Sequence, residues 1–262
     1  MTDRDFIIEL FCRVDDVMFD VEKHPQAKMY PSELVALGLV FALKGSGTRA
    51  YYRWISRNFR DLFPNLLERT RFFRALKQQQ GWLNRFLAQP SMIGLIDSFG
   101  IELIHPRREG RSEQQIGRKG LSNRRWIVGG KLCVLLNHLG LIVGWDCDTA
   151  NVYDGSAFQQ LVDGVADEML VFGDPHFVKK DWHPTNFKPC KRGEWNSRMI
   201  IETVLSMLTV VCSFKHLTHR VWDYFEMRLG YTMAMFNLLV QWHGLKAADD
   251  GMVHLSIAEF SL

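Results

Sequence analysis

Three acidic residues stand in apolar surroundings, and this pattern restricts the fold more than any other feature of the chain. Asp97 lies inside an apolar, strand-like run, Asp174 ends a second such run, and Glu202 lies in an apolar, helix-like stretch. Burying an ionised carboxylate without a partner is strongly unfavourable. A fold tolerates three of them when they converge on a shared cation. The pattern therefore indicates a divalent-metal site and phosphodiester chemistry.

The charges are segregated along the chain, although the formal net charge is only +3. Residues 44–90 and 105–131 are strongly basic, whereas residues 146–174 contain acidic side chains and no Lys or Arg. Two basic blocks followed by an acidic one favour a polyanion that is held beside a metal site. Solvated faces that happen to cluster would produce the same pattern.

The cysteines and the apolar runs predict a cytoplasmic protein that does not associate with a membrane, and the basic blocks favour association with nucleic acid. The five cysteines are odd in number and show no metal-ligand spacing, so neither a disulfide framework nor a zinc knuckle is indicated. The N-terminus lacks the basic start and cleavage site of a signal peptide. The longest apolar runs are too short to span a bilayer.

Residues 1–90 have the periodicity of helices and are predicted to form an all-helical N-terminal domain. Residues 31–33, Pro-Ser-Glu, indicate a helix start, residues 45–47, Gly-Ser-Gly, a helix stop, and Pro90 a domain boundary. Arginines on exposed helix faces favour a DNA-binding module of the helix-turn-helix type. A plain helical scaffold that packs on the next domain is the alternative.

Residues 91–262 change to a mixed pattern of strands and helices. The predicted strands are 91–104, 126–137, 141–148 and 168–172, and the predicted helices are 156–165, 196–214 and one or two within 218–245. The segment between the first two strands is predicted to be a Gly- and Arg-rich loop. The fourth strand is expected to run parallel to the first through a crossover.

This order of elements is that of an α/β, ribonuclease-H-like fold, a mixed sheet flanked by helices. In such a sheet the first strand is central and its neighbour is the later parallel strand. Asp97 and Asp174 are therefore expected to meet, and the following helix to lay Glu202 beside them. Local alternatives remain open: Asp97 as the cap of a bulge, Asp174 as a turn residue, and Glu202 in an ion pair with Arg198.

The expected cofactor is a pair of Mg²⁺ ions, with Mn²⁺ as a substitute. Two-metal phosphodiester chemistry uses ions about 3.5–4 Å apart that are held by a carboxylate cluster. Asp97 would bridge both ions, and Asp174 and Glu202 would each hold one. Mg²⁺ needs few protein ligands because it keeps water and substrate oxygens in its shell.

Short runs spread in order over most of the chain resemble a known family. They are residues 45–52, 63–66, 70–72, 96–98, 130–132, 149–154, 172–174, 201–203 and 217–219. These runs are similar to the insertion-sequence nine-eighty-two group of DDE transposases. The resemblance implies that Asp97, Asp174 and Glu202 are the catalytic, metal-binding triad.

A wider transposase signature is similar to the region around Glu202. Trp195, Arg198 and Glu202 keep its spacing, with Trp195 in the place of the usual tyrosine. In the resembled families the arginine contacts a terminal DNA phosphate, which suits its planar guanidinium. The signature ends in a lysine, and Thr209 stands at that position here.

The predicted function is therefore DNA transposition. The chain is expected to hydrolyse a phosphodiester at each end of a mobile element and to join the freed 3′-hydroxyl to target DNA. A homodimer on double-stranded DNA is expected, because two element ends are handled together. Residues predicted to contact DNA are Trp195 and Arg198 at the terminal nucleotides, Arg118, Lys119, Arg124, Arg125 and Lys131 along the DNA path, and Arg49, Arg53 and Arg57 in the helical domain. The alternatives are a catalytically inactive, transposase-derived DNA-binding protein and a metal-dependent nuclease without strand transfer.

Overall fold

A computed structural model gives the fold of the chain. It describes residues 1–122, 125–153, 155–178, 182, 184–190, 198–212, 217, 219–245, 255, 257 and 260, and at residues 198 and 199 it describes the backbone alone. Within this part of the chain, no helix is both long enough and apolar enough to cross a membrane.

The N-terminal region is helical, as the periodicity predicts. Its helices are α1 (Asp3–Val17), α2 (Pro31–Lys44), α3 (Thr48–Asn58) and α4 (Arg69–Gln78), followed by a 3-10 helix at Gln80–Phe86. α2 begins at Pro31, whose missing N–H costs nothing in the first turn, and its C-cap is Gly45, with φ of 66°. The predicted helix start and stop are both confirmed.

The second region contains a mixed sheet. Its strands are β1 (Ile93–Ile104), β2 (Arg118–Ser122), β3 (Arg125–Asn137), β4 (Ile142–Thr149), β5 (Leu170–Gly173) and β6 (Phe187–Pro189). β1 lies between β3, to which it is antiparallel, and β5, to which it is parallel. β4 pairs antiparallel with β3, and β6 parallel with β5. These strand directions confirm the predicted ribonuclease-H-like arrangement.

Two short strands differ from the sequence-based expectation. β2 lies within the predicted loop and pairs with the first residues of β3. β4 pairs with the later residues of β3, on the same edge. Gly120 permits this arrangement, since a Cβ there would lie 1.6 Å from the carbonyl oxygen of Ala150. β6 has only three residues. Neither segment is long enough to show an alternating pattern, so pairing alone defines them.

Helices cover both faces of the sheet. They are α5 (Gly155–Asp163), α6 (Arg198–Val210) and α7 (Trp222–His243). Side chains alternate along a strand, so Leu95 and Leu132 join a core with α6, α7 and the N-terminal helices, on what we call the α7 face. Ile96 and Leu135 join a smaller core with α5, on what we call the α5 face.

α7 is the helix around which the N-terminal helices pack. The buried Tyr231 hydroxyl donates to the carbonyl oxygen of Leu76 on α4 at 3.0 Å. The side chain of Asn237 donates to the carbonyl oxygen of Phe86 at 3.0 Å. Helices that precede Pro90 therefore share their core with a helix near the C-terminus. The division into domains at residues 1–90 and 91–262 stays a prediction.

Candidate functional site

The two predicted catalytic aspartates lie at matching positions on neighbouring parallel strands. β1 and β5 pair with Leu95 opposite Phe172. The same register, continued by two residues, places Asp97 opposite Asp174. The strands are still adjacent at this level, because a Cβ on Gly173 would lie 3.1 Å from the carbonyl oxygen of Ile96. Neighbouring strands are about 5 Å apart, so the two carboxylates belong to one edge of the sheet.

Both aspartates are on the α7 face of the sheet. Leu95 and Phe172, two residues before each aspartate, contribute to the core on that face, and residues two apart in a strand share a face. α6 packs on the same face through Ile201 and Val204. Glu202 follows Ile201 on this helix and is exposed. The topology thus brings the helix that carries Glu202 to the face that carries the two aspartates.

Backbone N–H groups bind both aspartates locally. The Ser98 N–H donates to Asp97 Oδ1 at 2.8 Å, and the His176 N–H donates to Asp174 Oδ1 at 2.9 Å. Asp174 is the N-cap of a 3-10 turn at Pro175–Phe177, so it acts as a turn residue and also stands at the carboxylate edge. The His176 imidazole lies 3.3 Å from the same oxygen and is almost fully exposed.

The donor chemistry at this edge fits Mg²⁺, but the structure does not group three ligands. Asp97 and Asp174 are half-buried and offer carboxylate oxygens, the ligands that Mg²⁺ prefers. Among the described residues, no three His, Cys, Asp or Glu side chains are grouped so that they could hold a metal ion. Glu202 is on the correct face but is not in a ligand cluster with the two aspartates. The triad therefore stays a prediction.

The residues predicted to line the DNA path fall on different surfaces. Arg118 and Lys119 on β2 are exposed, and Lys119 forms an ion pair with Glu109 at 3.0 Å. Arg125 is also exposed and lies 2.9 Å from Glu102.

Lys131 differs from this exposed group. Lys131 pairs with Gly100, three residues from Asp97, and therefore points to the α5 face, away from the carboxylates. Its ammonium donates to the carbonyl oxygen of Val152 at 3.4 Å.

The predicted arginines of the helical region lie along α3. Arg49, Arg53 and Arg57 are exposed and four residues apart, so they follow one side of the helix. Arg49 and Arg53 line a cleft of about 820 Å³, together with Arg220 and Arg228. A second cleft, of about 330 Å³, contains both Arg118 and Arg220. The basic surfaces of the two regions therefore meet at Arg220.

Sequence reasoning did not identify Arg220 or Arg228 as site residues. Arg228 is 1% exposed within the buried stretch of α7, which is otherwise mainly apolar and aromatic. A lone arginine in such a helix is a usable signal, because charged side chains are almost never fully buried without a partner. Arg220 carries no comparable signal, and only the fold brings it to both clefts.

Three of the predicted DNA contacts cannot be placed. Trp195 and Arg124 lie outside the described residues, and for Arg198 the structure shows only that α6 begins there. Thr209, at the position of the signature lysine, donates its hydroxyl to the carbonyl oxygen of Leu205 at 2.7 Å. That contact is within the helix and leaves no cationic group at this position.

Comparison with known families gives a match over the part of the chain that contains the sheet. Residues 87–188 match a family model described as Transposase DDE domain. The match begins before β1, ends in β6, and includes Asp97 and Asp174 but not Glu202. No curated protein and no solved structure matches the chain. The narrower insertion-sequence nine-eighty-two-like group stays a prediction.

Proposed function

We propose that the chain is a DDE-type transposase of the insertion-sequence nine-eighty-two-like group. It hydrolyses phosphodiesters at the ends of a mobile element and joins the freed 3′-hydroxyl to target DNA. The observation that carries this proposal is the parallel pairing of β1 and β5, which ends at Leu95 and Phe172, two residues before Asp97 and Asp174, within the segment that matches the DDE domain.

In this proposal the carboxylates on the α7 face hold the metal. Asp97 and Asp174 would hold it from the edge of the sheet, and Glu202 on α6 would be the third ligand. Divalent ions, when bound, activate the attacking water or 3′-hydroxyl and stabilise the leaving oxygen. The hydrogen bonds from the N–H groups of Ser98 and His176 restrict the orientation of the two aspartates before DNA arrives.

The basic surfaces serve as the DNA path. Arg49 and Arg53 on α3, Arg220, and Arg118 on β2 line two clefts that meet, and each neutralises backbone phosphate. Arg198, at the first residue of α6, is one turn of helix before Glu202, which suits a contact with the terminal phosphate near the cleaved bond. A homodimer brings two element ends together.

A non-catalytic DNA-binding protein derived from such an enzyme is the second candidate. Two observations favour it: Glu202 is exposed outside any ligand cluster, and Thr209 supplies no charge in the place of the signature lysine. The basic clefts would be retained in such a protein, because they do not depend on the carboxylates.

The test is a cleavage and joining assay on a plasmid that carries the DNA flanking the reading frame. The protein is incubated with the plasmid in Mg²⁺ or Mn²⁺, beside the variants Asp97→Asn, Asp174→Asn and Glu202→Gln. Asp167→Asn is the matched control, because Asp167 is an exposed acid of the same acidic block, seven residues before Asp174.

The products distinguish the candidates. Site-specific nicking followed by strand joining, lost in the three variants and kept in the control, supports the transposase. Nicking without joining supports a nuclease. DNA binding without any metal-dependent product supports the non-catalytic protein and overturns the proposal.

A further inference from the structure

The charged side chains that line the cleft between the α2–α3 turn and the start of α7 are all basic. Its described walls contain four arginines and one histidine and no acidic residue. The lining residues that matter here are Ser46, Gly47, Arg49, Arg53, Arg220 and Arg228. Glu68 lines a neighbouring cleft with Arg49 and Arg53, and it caps α4 by accepting the Thr70 N–H at 3.1 Å. The local field therefore favours an anion.

The N-terminus of α3 opens into this cleft. Its N-cap is Gly47, which has no side chain to accept hydrogen bonds from the first N–H groups of the helix. Gly47 is exposed, and a Cβ added there would meet nothing within 4 Å. Free N–H groups and the positive end of the helix dipole together bind phosphate in many proteins.

Arg228 is an independent indication that the cleft favours an anion. The side chain is 1% exposed, and its Nη2 donates to the carbonyl oxygen of Ala42 at 2.8 Å. Its Nε and Nη1 are buried and have no hydrogen-bond partner in the described part of the chain. Its guanidinium stacks over Phe41 at 4.1 Å. Burial lowers the pKa of Arg228 to about 10, so the group stays charged at neutral pH.

The Ser46 hydroxyl also agrees with an anion in this place, whereas His219 contributes no charge. The Ser46 hydroxyl lines the cleft and is likewise buried without a partner. His219 also lines the cleft, and burial, reinforced by the charge of Arg228, lowers its pKa to about 4. His219 is therefore neutral at pH 7, and the attraction for an anion comes from the arginines and the helix end.

We infer that this cleft binds a phosphate group of DNA. Arg228 lies at its base, the α3 N-terminus donates N–H groups, and Arg49, Arg53 and Arg220 hold the phosphate at the rim. The cleft is larger than one phosphate, so it accepts a nucleotide unit. The choice of DNA as the source rests on the proposed function and on Arg220, which links this cleft to the one that contains Arg118.

The first experiment uses inorganic phosphate alone, without DNA or metal. Thermal melting is followed in phosphate and in chloride at equal ionic strength. We expect phosphate to raise the melting temperature of the wild type by several degrees, and Arg49→Ala/Arg53→Ala to lose most of this rise. Arg74→Ala is the control, since Arg74 is an exposed arginine on α4 that does not line the cleft. Equal phosphate effects in all three proteins overturn the inference.

Arg228→Met separates binding from a structural role. An unpaired buried charge is unfavourable, so its replacement by an apolar side chain is expected to keep or raise the melting temperature in chloride and to remove the phosphate effect. A variant that melts lower and keeps the full phosphate effect contradicts the inference. If this variant does not fold, the Arg49→Ala/Arg53→Ala pair still decides the question.

The second experiment identifies the source of the phosphate. Binding of a labelled DNA duplex and of a deoxynucleoside monophosphate is measured across a range of KCl concentrations. For the double variant we expect at least tenfold weaker duplex binding and a salt slope smaller by about two, one unit for each lost phosphate contact. Loss of monophosphate binding with unchanged duplex binding overturns DNA as the ligand. Failure of the cleavage assay with intact phosphate binding refutes the catalytic proposal alone.

Discussion

The two faces of the sheet differ in what covers them and in what they carry. The α7 face is covered by α6, α7 and the N-terminal helices, and it carries Asp97 and Asp174. The α5 face is covered by α5 and a short turn, with Phe158 at the centre of an aromatic cluster. Lys131 lies on the α5 face, beside Asp148, its partner in the β3–β4 pair. Under the proposed function, the α7 face carries the carboxylate chemistry and the aromatic core of the α5 face contributes packing.

The largest expected effect tests whether the α7 face is functional. Asp97→Asn is isosteric and should reduce metal-dependent cleavage at least about 1000-fold, which corresponds to about 4 kcal/mol. The free energy of unfolding should change by less than about 1 kcal/mol or increase, because like charges on facing strands repel. Plasmid nicking and urea denaturation measure the two quantities.

Ile96→Val is the matched change on the α5 face, one residue away. It should cost about 1 kcal/mol of stability and leave cleavage intact. If Asp97→Asn unfolds the protein, or if Ile96→Val abolishes cleavage, the contrast between the faces is wrong.

The next largest effect concerns the core of the α5 face. Phe158 is fully buried, and its ring lies 4.4 Å from that of Phe177 and 5.0 Å from that of Phe187. Phe158→Ala should therefore lower the free energy of unfolding by about 4 kcal/mol, and Phe158→Leu by less than half of that. Denaturant unfolding followed by fluorescence measures both. Equal losses of unfolding free energy for the two variants would show that stability at position 158 does not depend on the packing of the ring.

Two buried asparagines, one on each side of the sheet, allow the stability of the two faces to be compared. Asn237 on α7 makes three hydrogen bonds, accepting from the Ile142 N–H at 2.8 Å and donating to the carbonyl oxygens of Ile142 and Phe86 at 2.7 and 3.0 Å. Asn186 makes two, to the carbonyl oxygens of Val162 and Met169 at 2.9 and 3.3 Å. Replacement by alanine should cost about 3 kcal/mol at Asn237 and about 1.5 kcal/mol at Asn186. We expect the larger loss at Asn237 because it has one more hydrogen bond than Asn186. The opposite order of the two losses in urea denaturation would contradict this expectation.

The smallest effect is a pH dependence on the α7 side. Burial, followed by the charges of Asp146 and Asp223, raises the pKa of Glu226 above its ordinary value of 4.5. The folded state then binds the proton more readily than the unfolded state. Stability is therefore lost as pH rises from about 4.5 through the raised pKa.

Glu226→Gln removes this dependence. The variant should be more stable than the wild type by about 0.3 kcal/mol at pH 7, a small amount because the group is mostly in solvent. The difference should vanish at pH 4. Thermal melts at both pH values measure it, and a variant that is less stable at pH 7 would contradict the assignment.

Much of the fold could be predicted from local patterns. The helical region, the change near Pro90, the long strands and the crossover to β5 all follow from hydrophobic periodicity and turn residues, which act over a few neighbouring positions. Asp97 and Asp174 stand out for the same reason, since each is a charge in a short apolar run.

What the amino-acid sequence alone determined was the order of the elements and the identity of the exceptional residues. The tertiary structure decided that β2 is a strand and that α7 packs against helices from the other end of the chain. It also decided that Lys131 points away from Asp97 and that Arg228 is buried in the cleft at the α3 N-terminus. Each of these depends on which distant segments pair or pack. Such choices follow from the burial of apolar surface over the whole molecule, which no short window of sequence contains.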